Sequence, residues 1–261
     1  MTKSQQFVGA LSILLALLLL ATPAMSRETA GESLSQQCER LSAAATEKLG
    51  AGFVDEASEE QNRRAHAEAR GLLHQSMEVC LRASREARDP AAAAGLAGLS
   101  FVNKGKALED EQRFADALLA YQDGADQVMG LAGDRSPALV ELYERQAEMM
   151  IYQKDYDGSR RLVEQSLDLR REIHGDDHPD VIPGLMLMAV SYHPFRGESA
   201  EEKAALGRDA EKAEAYYREA LGIALEGASD ETLQQVLDAL GMLLRAEGRD
   251  NEARSLLTLK H

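Results

Sequence analysis

The sequence predicts an all-α fold, an α-solenoid of stacked helical hairpins, and three observations carry that prediction. The 261-residue chain is rich in Ala, Leu and Glu, has no Trp and only 5% aromatic residues, a composition that argues against an aromatic-rich β sandwich. One pattern of small and large apolar residues recurs at about 42 residues, the mark of an array of supersecondary units. Each copy joins two amphipathic stretches at helical spacing, and such a unit buries its apolar face only by stacking on its neighbours.

The first element is an address. Lys3 is followed by an uncharged stretch from Phe7 to Thr22, which Pro23 ends, and small residues allow cleavage after Ala24 or after Ser26. Sixteen uncharged residues are short against the roughly 20 that span a bilayer core. Residues 1–26 are therefore expected to be a signal peptide, leaving a periplasmic or secreted chain with no stable membrane anchor. No Cys follows the apolar run, so lipid modification is not indicated.

Residues 27–90 read as a degenerate N-terminal helical hairpin that caps the stack, with helices over 34–49 and 57–87 and Gly50-Ala51-Gly52 at its turn. Cys38 lies on the stripe Leu34, Cys38, Leu41, Ala45, Leu49, and Cys80 on the stripe Leu73, Met77, Cys80, Leu81, so both point toward a helix interface. After export they would enter an oxidising space where one intramolecular pairing exists, Cys38 with Cys80. The alternative is two unpaired buried thiols. Asp89-Pro90 supplies the start of the next helix.

Residues 91–261 hold four copies of the repeat. Their second helices carry Ala117, Ser159, Ala213 and Ala253, and their first helices carry Gly105, Ala147, Ala189 and Gly241 as small residues where the paired helices cross. Lys104 and Gly124 depart from the pattern in the first copy, where an apolar residue and an Ala are expected, and Ser159 departs in the second. An insertion at about 194–208 separates the helices of the third copy; Pro194 ends the first of them, and 198–206 could form a short extra helix outside the stack. The fourth copy stops soon after Leu257, leaving an apolar face that a second copy of the chain could cover.

Leu237, Leu240, Gly241, Leu244, Gly248, Ala253 and Leu257 fall at positions that resemble the tetratricopeptide repeat. Ile173-His174-Gly175-Asp176-Asp177-His178-Pro179-Asp180-Val181 is similar to the inter-repeat loop of the 42-residue repeats of kinesin light chains. The resemblance implies a solenoid whose first helices line a concave groove, and a noncatalytic protein–protein interaction scaffold or adaptor. Its groove positions fall on Leu99, Val102, Lys106 and Glu109 in the first repeat and on Glu141, Glu144, Glu148 and Tyr152 in the second. In the third they fall on Met186, Val190 and His193, and in the fourth on Gln235, Asp238, Met242 and Arg245. Glu141, Glu144 and Glu148 would form one negative ridge, suited to a partner protein or peptide of the bacterial envelope that is basic and carries an apolar anchor.

Other chemistry finds little footing. With 44 acidic against 29 basic residues and a formal charge of −15, the chain repels phosphate backbones and offers no basic stripe for nucleic acid. Nucleophile elbows, phosphate-binding glycine loops and His-Glu-x-x-His are absent from the sequence, and His66 and His74, eight residues apart, make no catalytic pair by themselves. No catalytic residue, cofactor or metal is assigned. The alternatives are a self-assembling structural protein, and a metal-binding protein or enzyme using the loop from His174 to Asp180, although Pro179 and Asp180 are also what the start of a helix requires.

Overall fold

The computed structural model describes residues 32–51, 59–193 and 199–256; the proposed signal peptide, the turn at Gly52 and the stretch from Pro194 to Glu198 lie outside them. Eleven α-helices and no strand occur among the described residues. In chain order they are α1 (Leu34–Ala51), α2 (Glu59–Glu86), α3 (Pro90–Asp110), α4 (Phe114–Ala132), α5 (Leu139–Tyr152), α6 (Tyr156–His174), α7 (Ile182–Tyr192), α8 (Ala200–Ala205), α9 (Ala210–Gly227), α10 (Asp230–Ala246) and α11 (Asp250–Leu256). A 3₁₀ turn, Pro179–Val181, leads into α7.

Local chemistry sets the boundaries. Asp89, Asp155, Asp209 and Ser229 cap the starts of α3, α6, α9 and α10, each side chain accepting a backbone N–H three residues on. Ser199 and Glu202 form a reciprocal capping box on α8. Gly133 and Gly175, at φ of 81° and 93°, stop α4 and α6 one repeat apart. Within the repeats the turn between paired helices passes through a left-handed residue each time: Gln112, Lys154, Gly207 and Gly248.

Each helix of the stack packs on the one before it and the one after, with α7 meeting α9 across the insertion. The first helices α3, α5 and α7 also touch one another in turn and so share one face. Small residues make the crossings possible: Ala117, Ser159, Ala213 and Ala253 are all 0–1% exposed. Gly124 has a reason of its own, since a Cβ there would lie 2.5 Å from the Phe101 Cβ. At Gly241 the nearest described atom to a Cβ would be the Arg245 guanidinium at 3.8 Å, and the position that corresponds to Tyr121, residue 257, lies outside the described residues.

Buried apolar residues form three clusters along the stack, and Leu162 packs against both the central and the C-terminal one. At the N-terminal end Cys38 and Cys80 are fully buried side by side, with Cα atoms 4.9 Å apart, within the reach of a disulfide. Beside them Ser42, Ser76 and Asn103 tie α1, α2 and α3 together through hydrogen bonds of 2.6–2.9 Å. The inserted α8 stands outside the stack. Arg160 donates to the carbonyls of Ser191, Leu206 and Gly207, and Arg208 donates to those of Val190 and Ser191, its guanidinium lying 3.4 Å from the centre of the Tyr156 ring. The two cations thus engage the negative end of α7 and hold both edges of the insertion against the repeats. No helix of the described residues is long and apolar enough to cross a membrane.

Candidate partner-binding face

The face shared by α3, α5 and α7 contains most of the groove positions. On α5, Glu141, Glu144 and Glu148 recur at i, i+3 and i+7 and align. The structure corrects their expected electrostatics, because each carboxylate has a cation of this chain against it. Lys106 Nζ donates to Glu141 at 2.9 Å, and Arg145 donates to Glu148 at 2.9 Å. Arg170 grips Glu144 with two N–H groups, both at 2.7 Å, and also donates to the Asp180 carbonyl at 3.0 Å. The ridge is therefore a row of ion pairs, and little net negative charge remains to attract a basic segment.

The α5 row continues into a buried polar cluster. The hydroxyl of the fully buried Tyr121 donates to Glu109. Burial, reinforced by the Glu109 carboxylate, pushes the tyrosine pKa far above its ordinary value. Burial also raises the Glu148 carboxyl, and the nearby Arg145 offsets only part of that rise.

Leu99, Val102 and Glu141 meet at one open hollow of about 390 Å³, completed by Gly95 and Gly98 of α3 and by Ser136-Pro137-Ala138 before α5. Its wall is mostly apolar, and the Lys106–Glu141 pair stands at its edge. Tyr152 lies at the end of α5, 69% exposed, and stacks on Phe114 at 5.4 Å, which places it at the turn edge of the repeats. Met186 and Val190 are half-buried on α7. His193 is also half-buried, near the Tyr217 hydroxyl at 3.3 Å. Asp238, Met242 and Arg245 share the exposed side of α10 with Gln235, and Asp238 accepts a hydrogen bond from Gln234.

The paired cations were the part sequence reasoning missed. Arg145 is three residues from Glu148, a spacing that could have signalled its role. Arg170 reaches Glu144 across 26 residues and Lys106 reaches Glu141 across 35, so only the stacking of helices brings them together.

The histidine loop is organised as a cap. His178 precedes the 3₁₀ turn, and its Nδ1 accepts the Asp180 N–H at 3.2 Å. The His174 and His178 rings stack at 4.9 Å, and the two histidines approach the Asp180 carboxylate at 3.4 and 3.7 Å. Two imidazoles and a carboxylate are a donor set that zinc accepts. One donor atom from each of His174, His178 and Asp180 lies within 4.8 Å of the others, among exposed side chains, but a metal on His178 Nδ1 would displace the bond that caps the turn. Asp110 receives His66 and Arg70, both at 2.5 Å, and is almost buried; the trio braces α2 against the end of α3.

Comparison with known proteins agrees with this architecture. Residues 147–180, from the middle of α5 through α6 to the capped turn, match the family model of a tetratricopeptide repeat. BtubC (BKLC) from P. vanneervenii is similar in structure, with a TM-score of 0.57 at 17% identity over 88% of this chain and 90% of that one. A kinesin-light-chain-type protein of Podosopora anserina with nearly identical TPR-like repeats gives a TM-score of 0.55 at 13% identity, over 88% and 95% of the two chains. No curated protein matches the chain. At such identities the likeness is one of fold, and the fold is a tetratricopeptide-type solenoid of the kinesin-light-chain kind.

Proposed function

We propose that the protein is a noncatalytic adaptor of the bacterial envelope, exported by residues 1–26, that binds a partner protein or peptide on the face built by α3, α5 and α7. Tetratricopeptide-type folds generally bind proteins, and the observation that carries the reading here is the hollow where Leu99, Val102 and Glu141 meet. Its size and apolar wall suit one large apolar side chain of a partner. Because Glu141, Glu144 and Glu148 are each paired within the chain, the anchor rather than a basic stretch supplies most of the affinity. A polar group beside the anchor can compete for Lys106 or Glu141 at the edge. The buried Cys38–Cys80 pair supports export, since such pairs persist in oxidising compartments.

Gly95 provides a clean test. It lies on the wall of the hollow, and a Cβ there meets nothing within 4 Å, so Gly95→Leu fills the space without disturbing the helix. The native chain and this variant are used in parallel to capture partners from the envelope fraction, with crosslinking to locate the contact. A partner crosslinked near Leu99 and lost with Gly95→Leu supports the reading; capture that is the same with both chains defeats it.

A further inference from the structure

A second cavity, of about 320 Å³, opens between α2 and α3, and the sequence departure at Lys104 explains why it exists. Position 104 belongs to a series that repeats at 42 residues, and Gln146 and Met188 occupy it in the next two copies. Both are 5% exposed and fill the space beside the preceding helix. Lys104 does not fill it. Its ammonium extends to 5.7 Å from the Phe101 ring centre, and the space left behind is lined by Leu73, Met77, Ala107 and Leu108.

Charge distinguishes this cavity from a packing defect. In a chain of net charge −15, Lys104 has no carboxylate within ion-pair distance among the described residues, whereas the neighbouring Lys106 is paired with Glu141. Arg113 and Glu111 also border the cavity, but they engage each other at 3.2 Å, and Asp116 holds the same guanidinium at 2.8 Å. His74 adds a ring whose Nδ1–H donates to the Arg70 carbonyl at 2.9 Å, so the ring is held in place on the cavity wall. A small cavity with Leu73, Met77, Ala107 and Leu108 on its apolar side, Asn103 and the Arg113–Glu111 pair on its polar side and one uncommitted cation has the usual make-up of a small-molecule site.

We propose that this cavity binds a small amphipathic monocarboxylate, its apolar body against Leu73, Met77 and Leu108 and its carboxylate paired with the Lys104 ammonium. The site is independent of the partner-binding face, and neither proposal requires the other. An anion is chosen over a neutral ligand because the lysine is already partly withdrawn from water and lacks a counterion. A cation is rejected by the same charge.

Octanoate is the probe, titrated into the full chain by calorimetry, with methyl shifts of Leu73, Met77 and Leu108 locating the site by NMR. Octylammonium at the same chain length is the control. The expected result is saturable one-to-one binding of octanoate, weakened about tenfold or more by Lys104→Gln, as loss of a charge-assisted hydrogen bond implies, with no binding of octylammonium there. Lys104→Met should restore the apolar residue of the repeat, fill the cavity and abolish binding while leaving the fold intact. Equal binding of octanoate to the native chain and Lys104→Gln overturns the proposal. So does methyl perturbation confined to other parts of the stack, or the absence of saturable binding in the native chain.

Discussion

Gly105 lies against the ring of Tyr121 so closely that a Cβ would fall 2.1 Å from the ring carbon Cε1. The ring is fully buried and its hydroxyl is bound to Glu109, so it has little room to yield. Gly105→Ala is expected to destabilise the chain by about 3 kcal/mol, the upper part of the usual range for overpacking a core. Gly241→Ala, at the corresponding position of the last repeat, is expected to stabilise by about 0.5–1 kcal/mol, since no described atom lies nearer than 3.8 Å to a Cβ there and alanine is the better helix former. Urea unfolding of the two variants checks both signs; a similar loss in both would refute this account.

The pattern of small residues was legible in the sequence because each repeat must solve the same crossing, and it repeats at a fixed interval. Gly241 shows the limit of that reasoning. The glycine of the pattern recurs there, while no described atom comes nearer than 3.8 Å to a Cβ built on it. Ser159 shows another: it keeps the small size of the position, yet its fully buried hydroxyl has no hydrogen-bond partner among the described residues. The candidate face was legible as a set of positions, since Leu99, Val102 and Glu141 converge. Its electrostatics was not, because Lys106 and Arg170 arrive from other helices, and the cavity at Lys104 appeared in the sequence only as an unexplained departure.

The repeat turns at Gln112 and Lys154 adopt φ of 60° and 62° without being glycine, whereas Gly207 and Gly248 serve the corresponding turns later in the chain. A side chain in the left-handed region costs roughly 1–2 kcal/mol, against which glycine loses some chain entropy. Lys154→Gly and Gln112→Gly should therefore each raise stability by about 0.5–1 kcal/mol. Both side chains are exposed, so no packing is lost. Thermal melts of the single variants measure the effect, and a lower melting temperature in both would show that the turns are not strained.

The cysteine pair closes a loop of 42 residues, and restricting the unfolded chain in this way is worth about 4 kcal/mol on loop-entropy grounds. Chain recovered from an oxidising compartment should resist alkylation until it is both denatured and reduced. A Cys38→Ala, Cys80→Ala double variant should unfold at lower denaturant concentration, with α1 the first helix to lose amide-exchange protection. Ready alkylation after denaturation alone would mean that the thiols are free and would remove the structural support for export.

Glu144 and Arg170 carry more of the fold than their neighbours. Their side chains are 12% and 18% exposed, and Arg170 links α5 to the turn before α7 through Asp180. Glu144→Ala leaves a largely buried guanidinium without its carboxylate and should cost about 3 kcal/mol. Glu141, 46% exposed in its pair with Lys106, should cost under about 1 kcal/mol on the same exchange. A double-mutant cycle on Glu144 and Arg170 reads their coupling directly. If the two alanine variants unfold at the same denaturant concentration, the buried pair has no special role.

Acid should loosen the C-terminal repeats in particular. Glu214 of α9 receives Arg249 at 2.5 and 3.1 Å and Arg218 at 2.7 Å, joining α9 to the start of α11. The Arg249 hydrogen bond, with Arg218 beside it, holds the Glu214 carboxyl below its ordinary value of 4.5 despite burial. A depressed carboxylate contributes stability that is complete above the unfolded value and is lost as pH falls through the folded one. Glu148 acts in the opposite sense: its raised value costs stability as pH climbs through the range just above 4.5. The native chain should therefore lose the Glu214 contribution only below about pH 4.5, and Glu214→Gln should be less stable at pH 7 with a shallower decline in acid. Melting temperatures of both chains from pH 3 to pH 7 decide the matter, because parallel curves would show that Glu214 carries no pH-linked stability.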